Sequence, residues 1–144
     1  MKKKTILLIE DSQDDIAFTQ RAIDTNGHDV NLVKATNGQD ALDLLFQDGK
    51  YREKRVPHID LILLDINIPV INGLEVLKQI RNNDMFDMIP IVVFSSSQNQ
   101  NDLYRAGELG ANSYVVKPLS YKGYKKAIQQ ITSYWFDVNT PAFA

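Results

Sequence analysis

The sequence predicts an α/β domain: a doubly wound sheet of five parallel strands, with five helices on its two faces. Two observations predict it. Short apolar runs alternate along the chain with stretches whose apolar residues recur every three or four positions. The run at 59–64 is apolar on both of its alternating faces, as a middle strand of a parallel sheet must be.

The elements follow in order. Residues 5–9 read as a buried first strand. Ser12 can cap the next helix, and Asp14 and Asp15 sit in its first turn, where the helix dipole favours acids. Ile16, Gln20 and Ile23 keep helical spacing until Asn26-Gly27 stops it. Residues 30–35 are the second strand. Asn37-Gly38 then turns the chain into a helix marked by Ala41, Leu42, Leu45 and Phe46, ending near Asp48-Gly49. The charged connector 50–57 reads as a solvated loop. The third strand, 59–64, leads through Gly73 to an amphipathic helix carrying Leu74, Leu77, Lys78, Ile80 and Arg81. A fourth strand spans 89–94, with Pro90 near its start. A weak helix over 99–109 holds Leu103, Ala106 and Leu109. The fifth strand is 113–116, and the last helix runs from 120 to about 136. Residues 1–136 thus form one domain and 137–144 an irregular tail. The strands connect by right-handed crossovers.

Composition excludes several classes. At 144 residues the chain suits one domain with a real core. A net charge of −2 gives no sign of a nucleic-acid binder. Lys2-Lys3-Lys4 precedes only four apolar residues, too few for a signal-peptide core. No stretch approaches the ~18 apolar residues that cross a bilayer, so the chain reads as cytoplasmic. Without cysteine there is no disulfide, thiolate zinc site or thiol catalysis. His28 and His58 are isolated and read as surface or loop residues.

Open parallel sheets bind ligands just beyond the carboxyl ends of their strands. There the first strand ends in Glu10-Asp11, the third in Asp65, the fourth in Ser95 and the fifth in Lys117-Pro118. Singly, each is an ordinary helix start or loop; their joint arrival on one edge sets them apart. Gathering Glu10, Asp11 and Asp65 is unfavourable by itself. Two like charges ~4 Å apart repel by about 4 kcal/mol at an effective dielectric of about 20. A hard divalent cation is the simplest remedy, and magnesium suits carboxylates, a carbonyl and waters. Asp65 could then attack phosphorus, with Lys117 as a point charge and Ser95 as a hydroxyl for a phosphoryl oxygen.

The pieces Ile9-Glu10-Asp11, Leu64-Asp65, Pro69 with Asn72-Gly73, Val93-Phe94-Ser95 and Tyr114-Val115-Val116-Lys117-Pro118 closely resemble the receiver domain of bacterial two-component response regulators. The gaps of thirty residues from Asp65 to Ser95 and twenty-two from Ser95 to Lys117 match as well. The resemblance implies a flavodoxin-like receiver fold. It implies Asp65 as phospho-acceptor, with magnesium on Glu10, Asp11, Asp65 and the Asn67 carbonyl. Ser95 would be the switch hydroxyl, Tyr114 the switch aromatic and Lys117 the phosphoryl contact. The donor would be a histidine kinase or a phosphotransfer protein. The domain would promote its own dephosphorylation without being a turnover enzyme. The long connector and the cluster Tyr134-Trp135-Phe136 are similar to stand-alone regulators that partner bacterial phytochromes.

No DNA-binding pair of helices or catalytic domain follows Lys117, so output is expected through binding. Tyr121, Tyr124, Ile128, Ile131 and Trp135 make a stripe, and Ala127, Tyr134 and Phe136 fall off it. Large apolar groups on more than one side of a helix suggest a partner. The expectation is a homodimer through the last two helices and the fifth strand, with Tyr124, Tyr134, Trp135 and Phe136 as contacts. Competing readings are a phosphorelay intermediate, a pure scaffold, an Asp-nucleophile phosphatase and a flavin binder. A phosphatase of that kind wants a second Asp where Asn67 stands. A flavin binder wants a hydroxyl- and glycine-rich loop where Glu10-Asp11 stands.

Overall fold

The computed structural model describes residues 3–142. The first two and last two residues of the expected domain and tail, 1–2 and 143–144, lie outside the described residues. β1 (Lys4–Ile9), α1 (Gln13–Asp24), β2 (Val30–Ala35), α2 (Gly38–Phe46), β3 (Leu61–Leu64), α3 (Gly73–Arg81), β4 (Ile91–Ser95), α4 (Gln100–Glu108), β5 (Ser113–Val116) and α5 (Tyr121–Ser133) follow one another. The five strands pair in parallel, in the order β2-β1-β3-β4-β5. The chain therefore reverses its direction of winding between β1 and β3, and it is beyond the carboxyl ends at such a switch point that open parallel sheets bind ligands.

Alternation along the two central strands feeds two cores. Leu7 and Ile9 of β1, with Ile62 and Leu64 of β3, pack against α2, α3 and α4. Ile6 and Leu8, with Leu61 and Leu63, pack against α1 and α5 through Ile16, Ile23, Ile128 and Ile131. All four β3 side chains are fully buried, which explains the unbroken apolar run.

Most boundaries lie within a residue or two of the sequence expectation, and three differences have a clear cause. β3 starts at Leu61 rather than at 59, because the Asp60 carboxylate accepts the Thr5 amide at 2.8 Å where a ladder carbonyl would stand. β4 starts after Pro90, which has no N–H to give. α5 widens at Ser133 into a π turn over Tyr134–Val138, past the expected end near 136. The connector is less irregular than a free loop. It contains a 3₁₀ turn, Gly49–Tyr51, and the Tyr51 hydroxyl donates to Asp40 at 3.1 Å.

Tyr124 corrects the expected set of dimer contacts. It is only 4% exposed. Its ring meets Phe94 and Phe18 at centroid distances of 5.0 and 5.8 Å. Its hydroxyl lies 2.9 Å from Thr19 Oγ1 and 3.2 Å from the Asp15 carbonyl. Tyr124 is the bolt between α1 and α5 and has no face left for a partner. Trp135 and Phe136 are half-buried against the same core, and Tyr134 alone of the four is exposed. Of the two histidines, His58 is exposed, while His28 pairs with Asp137 at 2.9 Å and ties the π turn to the α1–β2 loop. No helix among the described residues is long and apolar enough to cross a membrane.

Candidate functional site

Strand register assembles the site. Ile9 pairs with Leu64, so the next residues, Glu10 and Asp65, emerge side by side. Ser95 pairs with Val116, so Lys117 emerges beside Ser95. The ladder continues one step past each strand: the Glu10 amide donates to Ala35, Asp65 to Ile9 and Lys117 to Ser95, at 3.0, 3.0 and 2.8 Å. Backbone pairing therefore fixes all four residues before any side chain interacts.

Two glycines let the neighbouring loops close over this edge. The Pro69 carbonyl accepts the amides of both Gly38 and Ile71, joining the loop after Asp65 to the start of α2. A Cβ on Gly38 would fall 2.0 Å from the Ile71 carbonyl oxygen. Gly73 donates to the Ile66 carbonyl at 2.8 Å, and a Cβ there would overlap the Asp65 backbone. Val70, between these anchors, has φ +71°. The Ile71-to-Pro69 bond spans it, forming a tight γ-turn that a β-branched residue adopts at a cost.

Glu10, Asp65, Ser95 and Lys117 are buried, and Asp11 is exposed at the rim. The Lys117 ammonium donates to Glu10 Oε1, to Asp15 Oδ2 at 2.7 Å and to Asp65 Oδ2 at 2.9 Å. Glu10 also accepts the Ser12 amide, and Asp65 Oδ1 accepts the Asn67 amide at 3.1 Å. Three carboxylates share one ammonium, and the Asp11 carboxylate stands at the rim beside them. Burial pushes the Glu10 carboxyl up to about 7; the nearby Asp65 charge adds to this, and the Lys117 hydrogen bond opposes it. Burial would lower the Lys117 pKa, but bonds to Asp15 and Glu10 and the charge of Asp65 outweigh it and hold the ammonium above the usual lysine range. The edge is short of positive charge.

A divalent cation fits that deficit. Glu10, Asp11 and Asp65 each offer a carboxylate oxygen, all within 4.8 Å of one another. The donor set is all oxygen, which suits a hard ion. The Asn67 carbonyl lies in the same loop and accepts no hydrogen bond from the described residues. Ser95 Oγ accepts the Ser97 amide at 3.3 Å, and the Tyr114 hydroxyl donates to the Ser97 carbonyl at 2.9 Å. Ser95 and Tyr114 are thus linked through one short loop, which also carries the Ser97–Asp102 contact at the start of α4.

The sequence profile of the response regulator receiver domain matches residues 6–129. The chain belongs to the response regulator receiver family. The receiver is 37% identical over 137 residues to response regulator Rcp1 of Synechocystis, covering 95% of this chain and 92% of that protein. It superimposes on the phosphorylated cyanobacterial phytochrome response regulator RcpA with a TM-score of 0.91 at 32% identity, covering 98% and 99% of the two chains. The Mn(2+)-bound form of Rcp1 gives a TM-score of 0.89 at 37% identity, covering 96% and 98%. The receiver is a component of phosphorelay signalling, as this family membership and the shared fold establish.

The fold brings Glu10, Asp11, Asp65, Asn67, Ser95 and Lys117 to one edge, while Tyr114 lies within β5 and is joined to that edge only through the Ser97 loop. Sequence reasoning missed Asp15, taken there only as an acid favoured by the helix dipole. Asp11 precedes the Ser12 cap and lies outside α1, so no helical spacing ties Asp15 to the site, and its partner Lys117 is distant in sequence.

Proposed function

We propose that Asp65 accepts a phosphoryl group from the phosphohistidine of a histidine kinase or a phosphotransfer protein. The observation that carries this is the Asp65 carboxylate itself. It sits just past the end of β3, 2.9 Å from a buried ammonium and beside Glu10 and Asp11. An Asp65 oxygen forms a bond to phosphorus as the P–N bond of the donor breaks, and the electron pair returns to the imidazole nitrogen. Lys117 turns one N–H to a phosphoryl oxygen and offsets the added charge of about −1.5 to −2. Glu10, Asp11, Asp65 and the Asn67 carbonyl would hold magnesium, which supplies neutralising charge between the two anionic partners.

Ser95 lies on the adjacent strand end and reaches for another phosphoryl oxygen. Its loop carries the Ser97 carbonyl that holds the Tyr114 hydroxyl, so movement of Ser95 is passed to Tyr114 and to the face made by α4, β5 and α5. Water then attacks the phosphorus, the P–O bond to Asp65 breaks, and inorganic phosphate leaves with Asp65 returned as a carboxylate; the protein is a switch rather than a turnover enzyme. Likeness to Rcp1 and RcpA supports a phytochrome-type kinase as the donor. Such donors present phosphohistidine in the cytoplasm, which is where this reading puts the protein.

Output is through a homodimer on the α4–β5–α5 face. Tyr104 on α4, Leu119 after β5, and Tyr134 and Val138 in the π turn are exposed apolar groups that support it. Incubation with magnesium and acetyl phosphate adds one phosphoryl group, and chelating the metal prevents it. Equal labelling with the metal removed contradicts the reading. Solution mass with and without a phosphoryl analogue tests the dimer, and a strict monomer in both states rules it out.

A further inference from the structure

Lys117 has three N–H bonds to give, and all three go to carboxylates: Glu10, Asp15 and Asp65. Glu10 and Asp65 belong to the metal and acceptor set, whereas Asp15 does not. The side chains of Glu10 and Asp65 are 3% and 9% exposed and that of Asp15 is 24%, so Asp15 draws the ammonium toward the rim.

Asp15 is itself firmly placed. Its amide donates to Ser12 Oγ at 3.3 Å in the cap of α1. Its carbonyl accepts from Thr19 Oγ1 at 2.8 Å and lies 3.2 Å from the Tyr124 hydroxyl on α5. The first turn of α1 is thus pinned to α5, and the Asp15 carboxylate is offered from a fixed base.

We propose that Asp15 is a positioning residue for Lys117, holding its ammonium to one side of the space that Glu10, Asp11 and Asp65 share. Without Asp15, the ammonium keeps two partners, Glu10 and Asp65. It settles between them, where a cation bridging the same carboxylates would sit. With Asp15, Lys117 leaves that space to the cation, and when Asp65 Oδ2 is esterified its third N–H turns to a phosphoryl oxygen while two stay anchored. This rests on Asp65 being the acceptor.

The test uses the full chain as wild type, Asp15→Ala, Asp15→Asn and Asp14→Asn. Asp14 is exposed on the same turn and does not touch Lys117, so it controls for loss of charge alone. The first readout is the ¹H–¹⁵N signal of the Lys117 ammonium without metal. It is slowly exchanging in wild type and Asp14→Asn, and shifted or lost in Asp15→Ala. The second is magnesium affinity by calorimetry, expected to fall about tenfold in Asp15→Ala and less than about twofold in Asp14→Asn, since surface charges are screened. The third is the rate of labelling by acetyl phosphate at saturating magnesium. It drops about tenfold in Asp15→Ala and recovers in part in Asp15→Asn, which keeps an oxygen acceptor. An unchanged ammonium signal in Asp15→Ala, or equal losses in Asp14→Asn, overturns the proposal. If Asp65 is not the acceptor, wild type takes no label there, and the first two readouts still decide the role of Asp15.

Discussion

Gly73 sits so close to Asp65 that a methyl group in place of its α-hydrogen would lie 2.3 Å from the Asp65 carbonyl oxygen. Elsewhere in a helix, Gly→Ala gains about 1 kcal/mol. Here the contact is with backbone, which cannot rotate away, and overpacking of this kind costs about 1–3 kcal/mol or more. Gly73→Ala is therefore expected to destabilise the fold by about 2 kcal/mol in urea titration. Because the displaced atoms belong to Asp65, it also slows labelling more than that loss of folded protein explains.

Val70 predicts the opposite sign for a change to glycine. A β-branched residue at φ +71° costs about 1–3 kcal/mol, and at 75% exposure Val70 buries little in return. Glycine adds back roughly 0.5–1 kcal/mol of unfolded-state entropy. Val70→Gly is expected to raise the urea midpoint at an unchanged slope, a gain in stability of about 1 kcal/mol.

Arg81 is a clamp that the sequence pattern shows only as a cation near a helix end. Its guanidinium donates to the carbonyls of Gly110, Phe86 and Ile89 and to Asn112 Oδ1, all within 2.9 Å. It joins α3 to the loop that leads into β4 and to the loop that leads from α4 into β5. Arg81→Ala is expected to cost about 3 kcal/mol, since part-buried acceptors lose a charged donor. Arg81→Lys recovers only part of this, because an ammonium cannot present the planar fork. Thermal unfolding of the three proteins gives the order.

Magnesium should stabilise the fold itself. At a hundredfold excess over its Kd, a ligand that binds only the folded state contributes about 2.7 kcal/mol. Asp11 is exposed, so Asp11→Asn leaves stability without metal unchanged or slightly higher. The same change removes at least half of the gain on adding magnesium. Unfolding curves with magnesium and with chelator measure both effects.

Much of this was legible in the sequence, for a physical reason. Asp65, Ser95 and Lys117 each follow an apolar run, and a parallel sheet brings the ends of such runs to one edge. Local patterns do not carry long-range partnership. Asp15 and Lys117 are 102 residues apart, and nothing near Asp15 announces an ammonium. Spacing placed Tyr124 on the apolar stripe of α5, but could not say that Phe18, Phe94 and Thr19 enclose it. Arg81 satisfies backbone carbonyls, which every residue possesses, so no sequence signal distinguishes its partners.

The most direct test concerns where the phosphoryl group lands. After labelling with acetyl phosphate and magnesium, borohydride reduction converts an aspartyl phosphate to homoserine, and peptide mass spectrometry locates it. Homoserine is expected at position 65 alone, and none in Asp65→Asn. Homoserine at another carboxylate of the wild type, or equal phosphorylation of Asp65→Asn, would contradict it.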